Sequence, residues 1–216
     1  MYFGFGLTGI RLRLAREART ISQAYYNTYI FKFKVFLLFF RKYCDIIKVV
    51  INMKFGIICV SDRCFNGEKE DMSGPAIAEC VRELSTENEY RLVPDEKEMI
   101  ENAITELADK SGADVVFTTG GTGFAPRDIT PEATKAVIEK EVPGISEAIR
   151  AKSLEITDRA MLSRAVSGIR GKTLIINLPG SPKAVRESIE VVLPVLEHAV
   201  ETISGNTQNC GGNYGK

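Results

Sequence analysis

Histidine is nearly absent: His198 is the only one in 216 residues, and it falls within a segment of helical periodicity. A Ser-His-Asp triad or a histidine-rich metal site has no support here. Cysteine is sparse as well. Cys44, Cys59, Cys64, Cys80 and Cys210 are odd in number and form no C-x-x-C pair, so the chain reads as reduced and cytoplasmic rather than as a disulfide framework. Long apolar runs are missing. The longest, Val35 to Phe40, is far too short for a bilayer span of about 20 residues. Net charge is missing too, since 28 Lys and Arg balance 28 Asp and Glu. No internal repeat is seen, and neither nucleic acid nor membrane is expected as a partner. Any chemistry must rest on carboxylates, hydroxyls, basic residues and backbone.

The charge balance hides a division. Residues 1–52 hold nine Lys or Arg against two acids, which leaves 19 bases against 26 acids in the rest. The same 52 residues hold 12 of the 18 Phe and Tyr. Two kinds of sequence therefore meet near Met53. An Arg-rich, acid-poor start can be a transit peptide, but the aromatic load argues against one. A basic aromatic segment can also lie on a membrane surface. We read Met53 as the natural start and residues 1–52 as a leader outside the fold. Residues 53–205 then form one domain, and 206–216, rich in Gly and Asn, a flexible tail.

Within the domain, apolar runs at Lys54–Val60, Ala113–Phe117 and Thr173–Leu178 read as buried strands, with Tyr90–Val93 as a further one. Helical spacing follows each of them: Ile77, Cys80, Val81 and Leu84; Ile100, Ala103, Ile104 and Leu107; Pro131 to about Glu141, then a helix from about Ile145; and a last stripe from Val185 to Ile203. Pro194 should kink that last helix. Strands alternating with helices predict a three-layer α/β/α fold with a mostly parallel sheet.

The chemistry-bearing stretch is T-T-G-G-T-G-F-A-P-R-D, Thr118 to Asp128. A strand runs into Gly120, Gly121 and Gly123, and Thr130-Pro131 opens the next helix as N-cap and first turn. Such a loop lets the backbone approach a phosphate. A βα turn that merely needs flexible residues is the plainer reading, but Thr122, Arg127 and Asp128 stand close by. Neither the P-loop nor the dinucleotide fingerprint fits the spacing. The other strand ends carry Ser61-Asp62-Arg63, Asp71-Met72-Ser73-Gly74-Pro75, Pro94-Asp95-Glu96 and Asn177-Leu178-Pro179-Gly180-Ser181-Pro182. Ligands bind outside the carboxyl ends of such strands. Asp71, Ser73, Asp95 and Ser181 also fit as helix caps. If the loops converge, acids beside a phosphate site imply a cation, and Mg²⁺ held by a carboxylate or two plus phosphate oxygens is the natural one.

The run T-T-G-G-T-G-F-A-P-R-D-I-T-P-E-A-T resembles the signature of the molybdopterin adenylyltransferases and their relatives in molybdenum-cofactor biosynthesis. The likeness extends from about Met53 to about Gly205. S-D-R and D-x-S-G-P resemble that family's pocket segments, and S-L-E-I-T-D-R-A-M-L-S-R (153–164) resembles its pterin side. The resemblance implies the molybdenum-cofactor biosynthesis fold and transfer of AMP from Mg-ATP to molybdopterin, with release of pyrophosphate. It implies Asp95 and Asp128 as catalytic, metal-holding acids. Nucleotide and phosphate contacts fall to Asp62, Asp71, Ser73, Gly74, Gly120, Gly121, Thr122, Gly123, Pro179, Gly180 and Ser181. Pterin contacts fall to Ser153, Ser163 and Asn177. A homotrimer or higher homo-oligomer is implied, and the molybdate-inserting enzyme of the pathway as a partner. The alternative is a non-catalytic molybdopterin- or nucleotide-binding protein of the same pathway, distinguished by a failure to consume ATP.

Deleting residues 1–52 is expected to leave the melting temperature within about 2 °C of the full chain, as measured by thermal unfolding. A larger loss would show that the aromatic segment packs on the core.

Overall fold

β1 (Phe55–Val60) is buried at every position, as a continuous apolar run in the middle of a sheet requires. It lies between β2 (Asn88–Val93) and β3 (Val115–Thr119), parallel to both. β3 pairs in parallel with β6 (Thr173–Leu178). Beyond β6 the pairing turns antiparallel, through β5 (Ser167–Arg170) to the two-residue β4 (Lys140–Glu141). The sheet order is β2-β1-β3-β6-β5-β4. This arrangement is drawn from a computed structural model, which describes residues 53–85 and 87–205. The basic aromatic extension and the tail lie outside the described residues.

Successive side chains of a strand point to opposite faces, and the central strands bury both. Phe55, Ile57, Val115, Phe117, Leu174 and Ile176 meet α2 (Ser73–Val81), α5 (Pro143–Leu154) and α6 (Pro182–Ile203) on one face. The Phe55 and Phe117 rings stack there, 5.9 Å between centroids. On the other face Ile58, Val60, Val116 and Ile175 meet α3 (Lys97–Thr105) and α4 (Thr130–Val137). A four-residue helix, α1 (Asp62–Phe65), turns the chain at the end of β1. The expected three-layer α/β/α architecture is thus observed.

Two local expectations are corrected, and a third element runs as expected. The helix after the glycine loop stops at Val137, not near Glu141. Ile138 turns extended, Glu139 N–H donates to Ile169 O, Val142 N–H donates to Ser167 O, and β4 pairs with β5. A non-local partner decides that stretch, and local spacing does not reveal it. Thr130 is the first helical residue rather than the N-cap, and its hydroxyl donates instead to Gly120 O. α6 continues from Pro182 to Ile203 through Pro194, with Val185, Ile189, Val192, Leu196 and Val200 buried against the sheet.

Candidate active site

The register Cys59–Thr119–Leu178 brings β1, β3 and β6 to an end at one level. Gly120, next after β3, has φ +99°, and a Cβ there would stand 2.2 Å from Val60 O. Only glycine fits. Gly180 packs against the Gly120 backbone, where an added Cβ would lie 3.2 Å from the Gly120 Cα. Side chains tie the loops together. Thr119 Oγ1 donates to Pro179 O at 2.7 Å, Thr130 Oγ1 to Gly120 O at 2.9 Å and Ser73 Oγ to Gly180 O at 3.2 Å.

Two cavities flank this junction. One, of about 450 Å³, is lined by Ser61, Lys69, Glu70, Asp71, Ser73, Asp95, Gly120, Gly121, Asp128 and Gly180, with Cys59 and Cys64 at its wall. The other, of about 250 Å³, is lined by Thr122, Gly123, Ser153, Ser163, Asn177 and Pro179, with Arg150, Arg159 and Glu187. The glycine loop is therefore a partition, with Gly120 and Gly121 facing one side and Thr122 and Gly123 the other. The sequence reading grouped Thr122, Gly123 and Pro179 with the nucleotide residues. They line the cavity of Ser153 and Ser163, because the chain crosses between the two spaces within four residues.

The acids differ in their freedom. Asp62 and Asp95 exchange hydrogen bonds: Asp62 N–H donates to Asp95 Oδ2 at 2.9 Å, and Asp95 N–H donates to Asp62 Oδ1 at 3.0 Å. Asp62 also takes a two-pronged contact from Arg127, whose Nη1 reaches Glu96. Both Asp62 oxygens are thus engaged, and Asp62 is not among the residues lining either cavity. Asp62 thus braces Asp95 through this exchange. Arg127 hydrogen bonding, followed by the Asp95 N–H, holds the Asp62 carboxyl below its ordinary value. Burial pushes the Asp95 carboxyl up; the Asp62 N–H opposes this, and the charges of Asp62 and Asp128 add to it. The helix-cap reading of Asp95 fails, because the N-cap of α3 is Glu96 and carries no side-chain cap bond. Asp128 Oδ2 accepts from Ala125 N–H at 2.9 Å, which holds the carboxylate at the cavity wall.

Other predicted residues have structural duties. Asp71 accepts from the N–H groups of Ser73 and Gly74 and from Tyr90 Oη, so it closes the first turn of α2. Gly74 sits tight against that carboxylate and lines neither cavity. Ser181 accepts from Ala184 N–H and caps α6, again outside the lining. Asn177 is fully buried. Its amide donates to Thr118 Oγ1 and Thr134 Oγ1 and accepts from Val166 N–H. It shapes the smaller cavity with both donors already committed. Sequence reasoning missed Arg164, which contacts Gly123 O, Asp128 O and Glu132. A lone arginine after a serine gives no signal of that.

Residues 56–198 match the family described as "Probable molybdopterin binding domain". The chain belongs to this family. A relative from Helicobacter pylori strain J99, named molybdopterin adenylyltransferase, is 47% identical over 154 residues, covering 70% of this chain and 88% of that one. A protein of the same name from Escherichia coli K12 is 44% identical over 143 residues, covering 65% and 73%. The crystal structure of the molybdopterin biosynthesis enzyme MoaB from Thermus thermophilus is 49% identical with a TM-score of 0.68, covering 71% of this chain and 97% of that chain.

For a member of the molybdopterin-binding family, the larger cavity has a donor set that fits Mg²⁺. Asp95 and Asp128 both line it, and each has one carboxylate oxygen tied by a single N–H, the other being uncommitted among the described contacts. No group of three or more metal-binding side chains gathers among the described residues. Two carboxylates with substrate phosphate oxygens completing the shell match magnesium better than an all-protein cage.

The opposed shifts give a stability test. A raised carboxyl favours the fold below its unfolded value and loses that stability as pH rises; a lowered one does the reverse. Asp95→Asn is therefore expected to melt at or above wild type at neutral pH, the gap closing below about pH 4. Asp62→Asn is expected to melt below wild type at neutral pH, the deficit shrinking as pH falls below about 4. Thermal melts across this range check both, and pH-independent differences would contradict the assignment.

Asn177→Ala removes the partner of the buried Thr118 and Thr134 hydroxyls and of the Val166 N–H and is expected to cost about 2–3 kcal/mol in denaturant unfolding.

Proposed function

We propose that the protein transfers AMP from Mg-ATP to molybdopterin, giving adenylylated molybdopterin and pyrophosphate. One observation carries the reading: two cavities share the glycine loop as a common wall. The acid-lined one suits a metal nucleotide. The other offers the Ser153 and Ser163 hydroxyls with Arg150 and Arg159, a surface for a polar heterocycle bearing phosphate. The adenylyltransferase names of relatives at 44% and 47% identity support the same activity.

In this reading a terminal phosphate oxygen of molybdopterin attacks the α-phosphorus of ATP. The bond from that phosphorus to the bridging oxygen breaks, and pyrophosphate leaves with the electron pair. Asp95 and Asp128 would hold Mg²⁺, which when bound neutralises phosphate charge. The protein's own part is positioning, the main source of rate in such transfers. Asp62 and Arg127 fix the backbone and carboxylate of Asp95. Gly120 and Gly121 let phosphate lie against the main chain. Ser153 and Ser163 orient the acceptor.

We further propose a homotrimer in the cytoplasm. The exposed apolar side chains of Phe124, Ile156, Met161 and Leu162 support a subunit contact. No helix among the described residues is long and apolar enough to cross a membrane.

Asp95→Asn and Asp128→Asn are each expected to lower turnover by roughly 10²-fold or more in a pyrophosphate-release assay, with the ATP KM changing far less. Ser153→Ala and Ser163→Ala should instead raise the molybdopterin KM more than the ATP KM. Near-normal turnover in both aspartate variants would sink the mechanism. Tight molybdopterin binding by a wild type that consumes no ATP would leave a carrier.

A further inference from the structure

We infer that Arg164 is a positioning residue that fixes the glycine loop and Asp128 from the acceptor side of the partition. The inference rests on the adenylyl-transfer reading above for its catalytic consequence, but its geometry stands alone. Arg164 Nε donates to Gly123 O at 2.7 Å, and Nη2 donates to Asp128 O at 2.7 Å. Nη1 pairs with Glu132 Oε1. The Arg164 N–H donates to Thr122 O at 2.9 Å. One residue thus grips the loop at Thr122, Gly123 and Asp128 and ties it to the first turn of α4. Arg164 lines neither cavity, so its effect must pass through what it holds.

The loop needs that grip. Phe124 to Arg127 are exposed and belong to no helix or strand; Arg127 is tied outward to Asp62 and Glu96, and among the described residues Asp128 is anchored within the loop by its contacts to Ala125. The planar guanidinium can bridge two carbonyls and a carboxylate together; an ammonium group on a flexible stem cannot. Glu132 depends on the pairing as well, since its Oε2 is buried with no partner among the described residues. Arg164 also directly follows Ser163, at the end of the segment bearing the acceptor-side serines. It is therefore a mechanical link between the acceptor segment and the acid beside the nucleotide cavity.

The test compares wild type with Arg164→Lys, which keeps a charge for Glu132, and with the double variant Arg164→Gln/Glu132→Gln, which leaves no stranded carboxylate. The readouts are kcat and KM for adenylyl transfer, and amide hydrogen exchange at residues 120–132. Both variants should fold, lose roughly 10- to 100-fold in kcat through misplacement of Asp128, and keep both KM values within about threefold of wild type, as a positioning role requires. Exchange should quicken at 120–132 and stay unchanged in β1 and β6. Folded variants with wild-type kcat and wild-type exchange would overturn the inference. So would a loss confined to KM. If the wild type makes no adenylylated product yet the variants loosen the loop, the proposed function fails and the clamp stands.

Discussion

Gly120 is the position on which the site depends. Its α-carbon lies where any side chain would run into Val60 O, and the Gly180 backbone packs on its other side. Three strand ends can meet backbone to backbone only because nothing projects from this point. With that contact made, Thr119, Thr130 and Ser73 each find a loop carbonyl to bond. A larger residue would push β1 and β3 apart at their carboxyl ends and strand three hydroxyls. The partition between the cavities is thus a consequence of close packing, and its two faces inherit their chemistry from whichever loop supplies them.

The acidic side shows how charge is apportioned. Asp62 and Asp95 are joined through each other's backbone N–H, yet one is held low and the other pushed up. Arg127 directs its donors to Asp62 and holds it low, whereas burial is what pushes Asp95 up. The charge of the neighbouring Asp128 adds to that upward push. The exposed ion pair matters here less for stability, where such pairs are weak, than for holding Asp62 in its exchange with Asp95.

The central strands and their helices were legible because burial on both faces writes a continuous apolar run, as in Lys54–Val60 and Thr173–Leu178. The antiparallel edge was not, because β4 is two polar residues whose strand character comes only from pairing with β5. The glycine loop and Asp95, Asp128, Ser153 and Ser163 were legible through the family resemblance, and the geometry brings them to the two cavities. Asp62, Asp71 and Asn177 looked like ligand contacts from sequence because polar residues at strand ends look alike. Of these only Asp62 lines neither cavity, both its oxygens being taken by Asp95 and Arg127 far along the chain; Asp71 and Asn177 line the two cavities while holding hydrogen bonds of their own. Arg164 carried no local signal for the same reason: its three acceptors lie 32 to 41 residues away.

The division of the site into a nucleotide cavity and an acceptor cavity is tested most directly by a crystal structure with Mg²⁺, a non-hydrolysable ATP analogue and molybdopterin. The account predicts the α-phosphate beside Asp95 and Asp128 over Gly120 and Gly121, and the pterin against Ser153 and Ser163 across the loop. A nucleotide seated against Ser153 and Ser163, or both ligands on one side of the loop, would contradict it.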